Sequence, residues 1–180
     1  MIYAQLKPVP RWHSHLTPVS YLGFGLSSGI LLFASLAPSN IFVGYLSMAS
    51  LILAWAIKVM WWQRADKTGR DADGSTLATA TGLTGYASVK LFEAPHLTKN
   101  YLMKEMVFEI GRKHAAKLRR ISMVLGFVLP FILLAPAAFF GAPIILCAGA
   151  AFVLHMAGLF VERWLFFAEA EHVVALYYGK

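Results

Sequence analysis

Three ionisable residues near the end of the last long apolar run could do chemistry inside a membrane. His155 and Glu162 lie seven positions apart, about 10 Å along a helix axis, so they share one helical stripe with Leu159. Arg163 follows Glu162 directly. A histidine exchanges protons near neutral pH, and a carboxylate held beside an arginine can relay them. The spacing therefore makes His155, Glu162 and Arg163 candidates for a proton path.

A plainer interpretation of the same residues stays open. Glu162 and Arg163 can be a pair that snorkels to the lipid headgroup boundary, and His155 can be a hydrogen-bonded packing histidine. Ionisable residues at this depth are rare, and they usually point into a helix bundle or a polar pathway. Both interpretations require a membrane-spanning helix to carry the three side chains.

The composition favours an integral membrane protein. Hydrophobic residues make up 58% of the 180 residues and charged residues only 14%, against about 25% in soluble domains. The basic residues lie beside the apolar runs, where membrane orientation explains them, so no nucleic-acid partner is expected. The one cysteine, Cys147, excludes a disulfide within the chain and a thiolate-held metal centre, and no metal site is predicted.

The apolar runs predict an all-α integral membrane helix bundle, one domain over residues 1–180. Four transmembrane helices are expected at about 18–37, 41–62, 121–140 and 143–165. The spacing of Gly25 and Gly29 predicts close helix packing on the first span. Lys58, one turn from the end of the second span, is expected to snorkel outward. Pro130 and Pro136 are expected to bend the third span.

A long loop, residues 63–118, separates the second and third spans and is expected to carry an amphipathic helix over 101–118. The loop together with Arg119 and Arg120 holds 11 of the 16 Lys and Arg residues, and the turns at 38–40 and 141–143, on the opposite side, hold none. The positive-inside rule therefore predicts that both termini and this loop are cytoplasmic. The basic run 112–120 is in itself a topology signal.

Four motifs in order resemble the DmsC family, the membrane anchor subunits of dimethyl-sulfoxide-reductase-like molybdoenzymes, a group that includes the sulfite dehydrogenase anchors. They are WHSHLTP (12–18), EAPHLTKNYLMKEM (93–106), AAKLRRI (115–121) and ERWLFFAEAEHVVALYY (162–178). The resemblance implies a non-catalytic subunit in a bacterial cytoplasmic membrane, assembled with an iron–sulfur subunit and a molybdopterin catalytic subunit. Such an anchor exchanges electrons between the nearest cluster and menaquinone or ubiquinone, and this chain is expected to bind no cofactor by itself.

The resemblance also implies specific roles for the candidate residues. His155, Glu162 and Arg163 become candidates for a quinone site as well as a proton path. The residues expected to meet the iron–sulfur subunit are Glu105, Arg112, Glu169, Glu171 and His172. Family members usually carry more spans than four, and residues 1–4 look like the end of an earlier helix, so the chain is expected to be a carboxy-terminal half. The family's quinone-proximal residues belong largely to the other half.

Three other functions compete with this one. A b-type cytochrome needs two histidines at matched depth on facing helices, and His155 is the only mid-membrane histidine. A small transporter predicts broken helices and an internal repeat, and the two span pairs show no convincing self-similarity. A structural membrane scaffold without quinone activity stays open.

Overall fold

A computed structural model describes residues 2–36, 41–68, 76–85, 89–90, 92–93 and 109–173. All regular structure in these ranges is helical. Four helices are long and apolar enough to cross a membrane, and we number them as spans one to four: Leu16–Leu36, Ile41–Lys67, Ala115–Phe139 and Ile144–Ala168. The predicted all-α fold with four membrane helices is confirmed.

The helix ends differ from the predicted spans mainly at the boundary with the long loop. Span two continues as helix to Lys67, and span three begins at Ala115. A short helix, Glu109–Lys113, leads into span three across a turn at His114. Most of the predicted amphipathic helix, including Glu105, lies outside the described residues.

The four spans pack as a ring. Span one packs against spans two and four, and span three packs against the same two helices. Spans two and four lie diagonally and contact each other little. Small residues fill much of the interior and allow close helix approach, as is typical of membrane bundles. The buried alanines of the spans are Ala34, Ala54, Ala65, Ala137, Ala138, Ala148, Ala151 and Ala168.

Span three contains a π-helical turn, Val124–Val128, directly before Pro130. Proline has no backbone N–H, so the carbonyl of Gly126, four residues earlier, loses its usual helical donor. The Leu129 N–H donates to the Val124 carbonyl, five residues earlier, where a regular α-helix would use the carbonyl four residues earlier. This longer hydrogen-bonded ring makes the turn wider. Pro130 and Pro136 were expected to bend this span. At Pro130 the structure has a π-helical turn with one freed carbonyl inside the bundle, and Pro136 lies within the helix Leu129–Phe139.

Two glycines that carried no sequence signal make the closest helix contact. A Cβ added to Gly158 would overlap the backbone of Gly126, so spans three and four touch at these residues. The predicted packing glycines behave differently. A Cβ added to Gly25 or Gly29 would meet no atom within 4 Å, and both residues are exposed. Within the described bundle, the packing role predicted for Gly25 and Gly29 is wrong.

Candidate functional site

A buried ionic cluster joins spans two and four, and we call Lys58, Glu162 and Arg163 the buried cluster. Lys58 and Glu162 are both 0% exposed and form an ion pair between Nζ and Oε1. Arg163 Nε donates to the other carboxylate oxygen of Glu162. Two cations thus surround one carboxylate, and the cluster carries one formal positive charge in excess.

Aromatic rings enclose the two cations. Lys58 Nζ lies 3.7 Å from the ring centroid of Trp61, and Arg163 Cζ lies 4.0 Å from that of Tyr21. Phe166 is near both, with its centroid 5.6 Å from Lys58 Nζ and 5.2 Å from Arg163 Cζ. Cation–π attraction partly replaces the hydration that these cations lose inside the bundle.

Arg163 retains hydrogen-bonding capacity. Its terminal nitrogens Nη1 and Nη2 are buried beside Tyr21, and no well-aligned hydrogen bond to a described residue satisfies them. Buried polar groups are normally satisfied, and each exception calls for an explanation such as a water or a ligand. The cluster can therefore donate hydrogen bonds to an acceptor that enters beside Tyr21.

Lys58 is the member of the cluster whose environment the sequence predicted wrongly. It was expected to snorkel to the boundary, but it points into the bundle and is fully buried. The sequence contained a signal for this inward position, because Lys58 shares a helical stripe with the large apolar residues Leu51, Trp55 and Trp62. All three are buried in the bundle. The plainer interpretation of Glu162 as a snorkelling residue is wrong for the same reason, since its side chain has no exposed surface.

His155 is held at a separate point of the interior. Its Nδ1 lies 2.6 Å from the carbonyl oxygen of Gly126, and its Nε2 lies 3.2 Å from Ser27 Oγ. Trp55 Nε1 donates to the same Gly126 carbonyl at 3.0 Å. The carbonyl freed by Pro130 is therefore satisfied from two neighbouring spans. These contacts give His155 a packing role between spans one, three and four.

A second ionic group lies where spans two, three and four end, and we call Arg11, Asp66, Arg119 and Glu169 the boundary network. Arg119 bonds Asp66 at 2.6 and 2.8 Å and Glu169 at 2.9 and 3.0 Å. Arg11 reaches the same two carboxylates at 3.1 and 3.4 Å. The network joins the N-terminal segment to three spans, and its two positive and two negative charges balance.

The residues predicted to meet a partner fall into different environments. Glu169 is 6% exposed and bound inside the boundary network, so little of its side chain is available. Arg112 donates to the carbonyls of Ala168 and Ala170 and pairs with Glu171 at 3.3 Å. Glu171 keeps a third of its side chain exposed, and His172 is exposed. Glu105 lies outside the described residues.

Metal-binding geometry is absent from the part of the chain that the structure describes. No group of three or more His, Cys, Asp or Glu side chains there could hold a metal ion. Cys147, partly buried on span four, is a free thiol.

Comparison with known proteins agrees with this architecture. The family described as DMSO reductase anchor subunit (DmsC) matches residues 1–179. The chain is also 31% identical, over 186 aligned residues, to the C-subunit of a sulfite dehydrogenase from Allochromatium vinosum. That alignment covers 99% of this chain and 54% of the relative, so the chain spans about half the relative's length. No solved structure matches the chain.

Proposed function

We propose a function for this chain from one premise: it belongs to the DmsC family of DMSO reductase anchor subunits. In this proposal the chain holds an iron–sulfur subunit, and through it a molybdopterin catalytic subunit, at a bacterial cytoplasmic membrane. It links the nearest iron–sulfur cluster to menaquinone or ubiquinone. The four apolar spans support the anchoring role.

The buried cluster is the observation that carries the quinone link. Removing ions from water is costly, and intramembrane ionisable groups generally mark proton or substrate paths. Beside the Lys58–Glu162 ion pair, this cluster has a second cation, Arg163, with unused donors. A quinone carbonyl oxygen is an acceptor that such donors suit.

The surroundings of Arg163 suit a quinone ring as well. Its Cζ lies within 5.5 Å of the ring centroids of Tyr21, Phe24 and Phe166. Aromatic side chains of this kind pack favourably against a flat ring. In the proposed site Arg163 hydrogen-bonds the quinone and Glu162 accepts a proton as quinol is oxidised. His155 holds span three against span four through its hydrogen bond to the carbonyl of Gly126.

We propose that the iron–sulfur subunit docks at the boundary end of the bundle. Arg112, Glu171 and His172 lie there, and Glu105 in the preceding segment is expected to extend the same surface. Glu169, which is almost fully buried next to this surface, stabilises it by accepting hydrogen bonds from Arg119. Because the boundary network fixes the ends of three spans, a docked subunit would contact a well-positioned surface.

Quinol oxidation by the assembled three-subunit complex tests the proposal. Glu162→Gln should lower quinol-dependent turnover by about a hundredfold, because a positioned acid or base is lost. Turnover with a soluble dye that feeds the clusters directly should not change. Glu93→Gln, which removes one exposed carboxylate outside the spans and outside the proposed docking surface, is the matched control and should keep both activities.

The effect of Glu162→Gln on quinol turnover can be interpreted only if the variant complex assembles. If Glu162→Gln does not assemble, the double variant Lys58→Met/Glu162→Gln removes the same carboxylate without leaving Lys58 unpaired. Wild-type quinol turnover in an assembled complex of either variant would contradict the quinone link. The chain would then be a structural scaffold.

The proposed orientation has its own test. With both termini and the segment between spans two and three in the cytoplasm, reporter fusions after Gly74 and Lys180 should be cytoplasmic. Fusions after Ser39 and Gly141 should report the opposite side, because the uncharged turns lie there. Export of the Gly74 fusion would reverse the topology.

A further inference from the structure

The basic run at the start of span three divides into two faces. Arg112 and Arg119 point toward the bundle, where Glu171, Asp66 and Glu169 bind them. The side chains of the other face are exposed, and none of the carboxylates whose side chains the structure describes (Asp66, Glu93, Glu162, Glu169 and Glu171) pairs with them. They are Lys113, His114, Lys117 and Arg120.

The exposed basic face continues directly into apolar surface. Ile121, Val124, Val128 and Ile132 follow at helical spacing and are 36%, 45%, 37% and 57% exposed. An exposed apolar stripe on a spanning helix is a surface that lipid acyl chains suit. Lys117 and Arg120 therefore lie at the end of a lipid-facing stripe, at the level where it meets the headgroup layer.

The boundary network marks the same level independently. Arg119, one residue from Arg120, bonds carboxylates at the ends of spans two and four, so three spans leave the apolar layer together. Cations at this depth that have no protein carboxylate are placed to meet lipid phosphates. Charge complementarity and continuity with the lipid-facing stripe both favour a lipid over an acidic protein.

We propose that Lys117 and Arg120, with Lys113 and His114 beside them, form a binding site for the phosphate group of an anionic phospholipid. The guanidinium of Arg120 suits the phosphate oxygens, and Lys117 adds a point charge one helical turn away. The acyl chains of the same lipid lie along Ile121, Val124 and Val128. The site is separate from the buried cluster and does not depend on the proposed quinone link.

Lipid selectivity of the full chain tests this site. The chain is reconstituted in phosphatidylcholine vesicles that contain a trace of spin-labelled phosphatidylglycerol or spin-labelled phosphatidylcholine. Spin resonance then gives the relative association of each labelled lipid with the protein. Lys117→Gln/Arg120→Gln should weaken phosphatidylglycerol association by about fivefold for each charge removed, and high salt should reduce the wild-type preference. Phosphatidylcholine association should not change.

Two control variants make the result specific. Lys117→Arg/Arg120→Lys keeps both charges and should keep the preference. Lys7→Gln/Lys90→Gln removes two exposed charges outside the spans and should also leave it unchanged. An unchanged phosphatidylglycerol preference in Lys117→Gln/Arg120→Gln would overturn the proposal. So would a variant that keeps its lipid preference but no longer captures a partner subunit, since the face would then bind protein.

Discussion

The buried cluster and the boundary network use the same kinds of side chain in different ways. The boundary network balances two arginines with two carboxylates, and Arg119 alone makes four hydrogen bonds within it. The buried cluster places two cations around one carboxylate, is enclosed by aromatic rings, and leaves donors of Arg163 unused. The charges of the first arrangement balance, although Arg11 Nε also has no hydrogen-bond partner there, whereas the second arrangement has a cation in excess.

This difference separates a structural role from a functional one. Balanced, partly exposed ions at helix ends stabilise a fold modestly and need no ligand. In the buried cluster Lys58 and Glu162 are fully buried, and the additional cation Arg163 keeps 24% of its side chain exposed. A fully buried ion pair is costly to desolvate, so its presence calls for a function. Variants of the buried cluster, of the boundary network and of the contact between spans three and four should therefore differ in how much they change stability and quinol turnover.

Glu162→Gln should have the largest effect on stability. It leaves Lys58 buried without a counter-charge, which should lower the free energy of unfolding by about 3 kcal/mol. Lys58→Met/Glu162→Gln should recover most of that loss, because the unpaired lysine is removed as well. Detergent-induced unfolding followed by circular dichroism measures both. Equal losses in the single and double variants would mean that the two side chains are not coupled.

Gly158→Ala should push span four, which carries Glu162 and Arg163, away from span three without removing a charge. The added methyl group overlaps the backbone of Gly126, so we expect a loss of about 2 kcal/mol in the same unfolding measurement. Gly29→Ala is the matched control and should have no measurable effect, because its Cβ would meet no atom within 4 Å. A tolerated Gly158→Ala would contradict the close contact between spans three and four.

Arg119→Gln should break the boundary network with a smaller effect. We expect a loss of about 1.5 kcal/mol, because charged hydrogen bonds are lost at a site that water can partly enter. Quinol turnover of the assembled complex should stay at the wild-type level, unlike that of Glu162→Gln. A large turnover loss in a folded Arg119→Gln variant would remove the functional distinction between the two clusters.

Much of the architecture could be predicted from the sequence because membrane spans depend on local composition. Apolar runs of sufficient length predict helices wherever they occur, and Glu162 beside His155 on one stripe predicted a face directed inward. For Glu162 a snorkelling position stayed open as well, and the structure decides for the inward one, since both side chains are fully buried. Pro130 likewise predicted an irregular third span, since the loss of an N–H is a property of the residue itself.

The positions that were wrongly predicted are those whose environment comes from another helix. Gly25 and Gly29 have the spacing of a packing motif, but no described span lies against them, whereas Gly126 and Gly158 meet without such a motif. Lys58 was expected to reach the boundary because its long side chain can do so. It turns inward instead, because a carboxylate from span four lies within reach.

The sequence by itself determined that this chain is a membrane protein of four apolar helices, because hydropathy and length act along the chain. Only the tertiary structure decided that Lys58 pairs with Glu162 and that His155 satisfies the carbonyl of Gly126. Those partners are 104 and 29 residues apart, and their meeting depends on how each helix is rotated and on which helix lies beside it. Helical periodicity indicates which residues share a face of one helix, whereas the packing of the ring decides what that face meets.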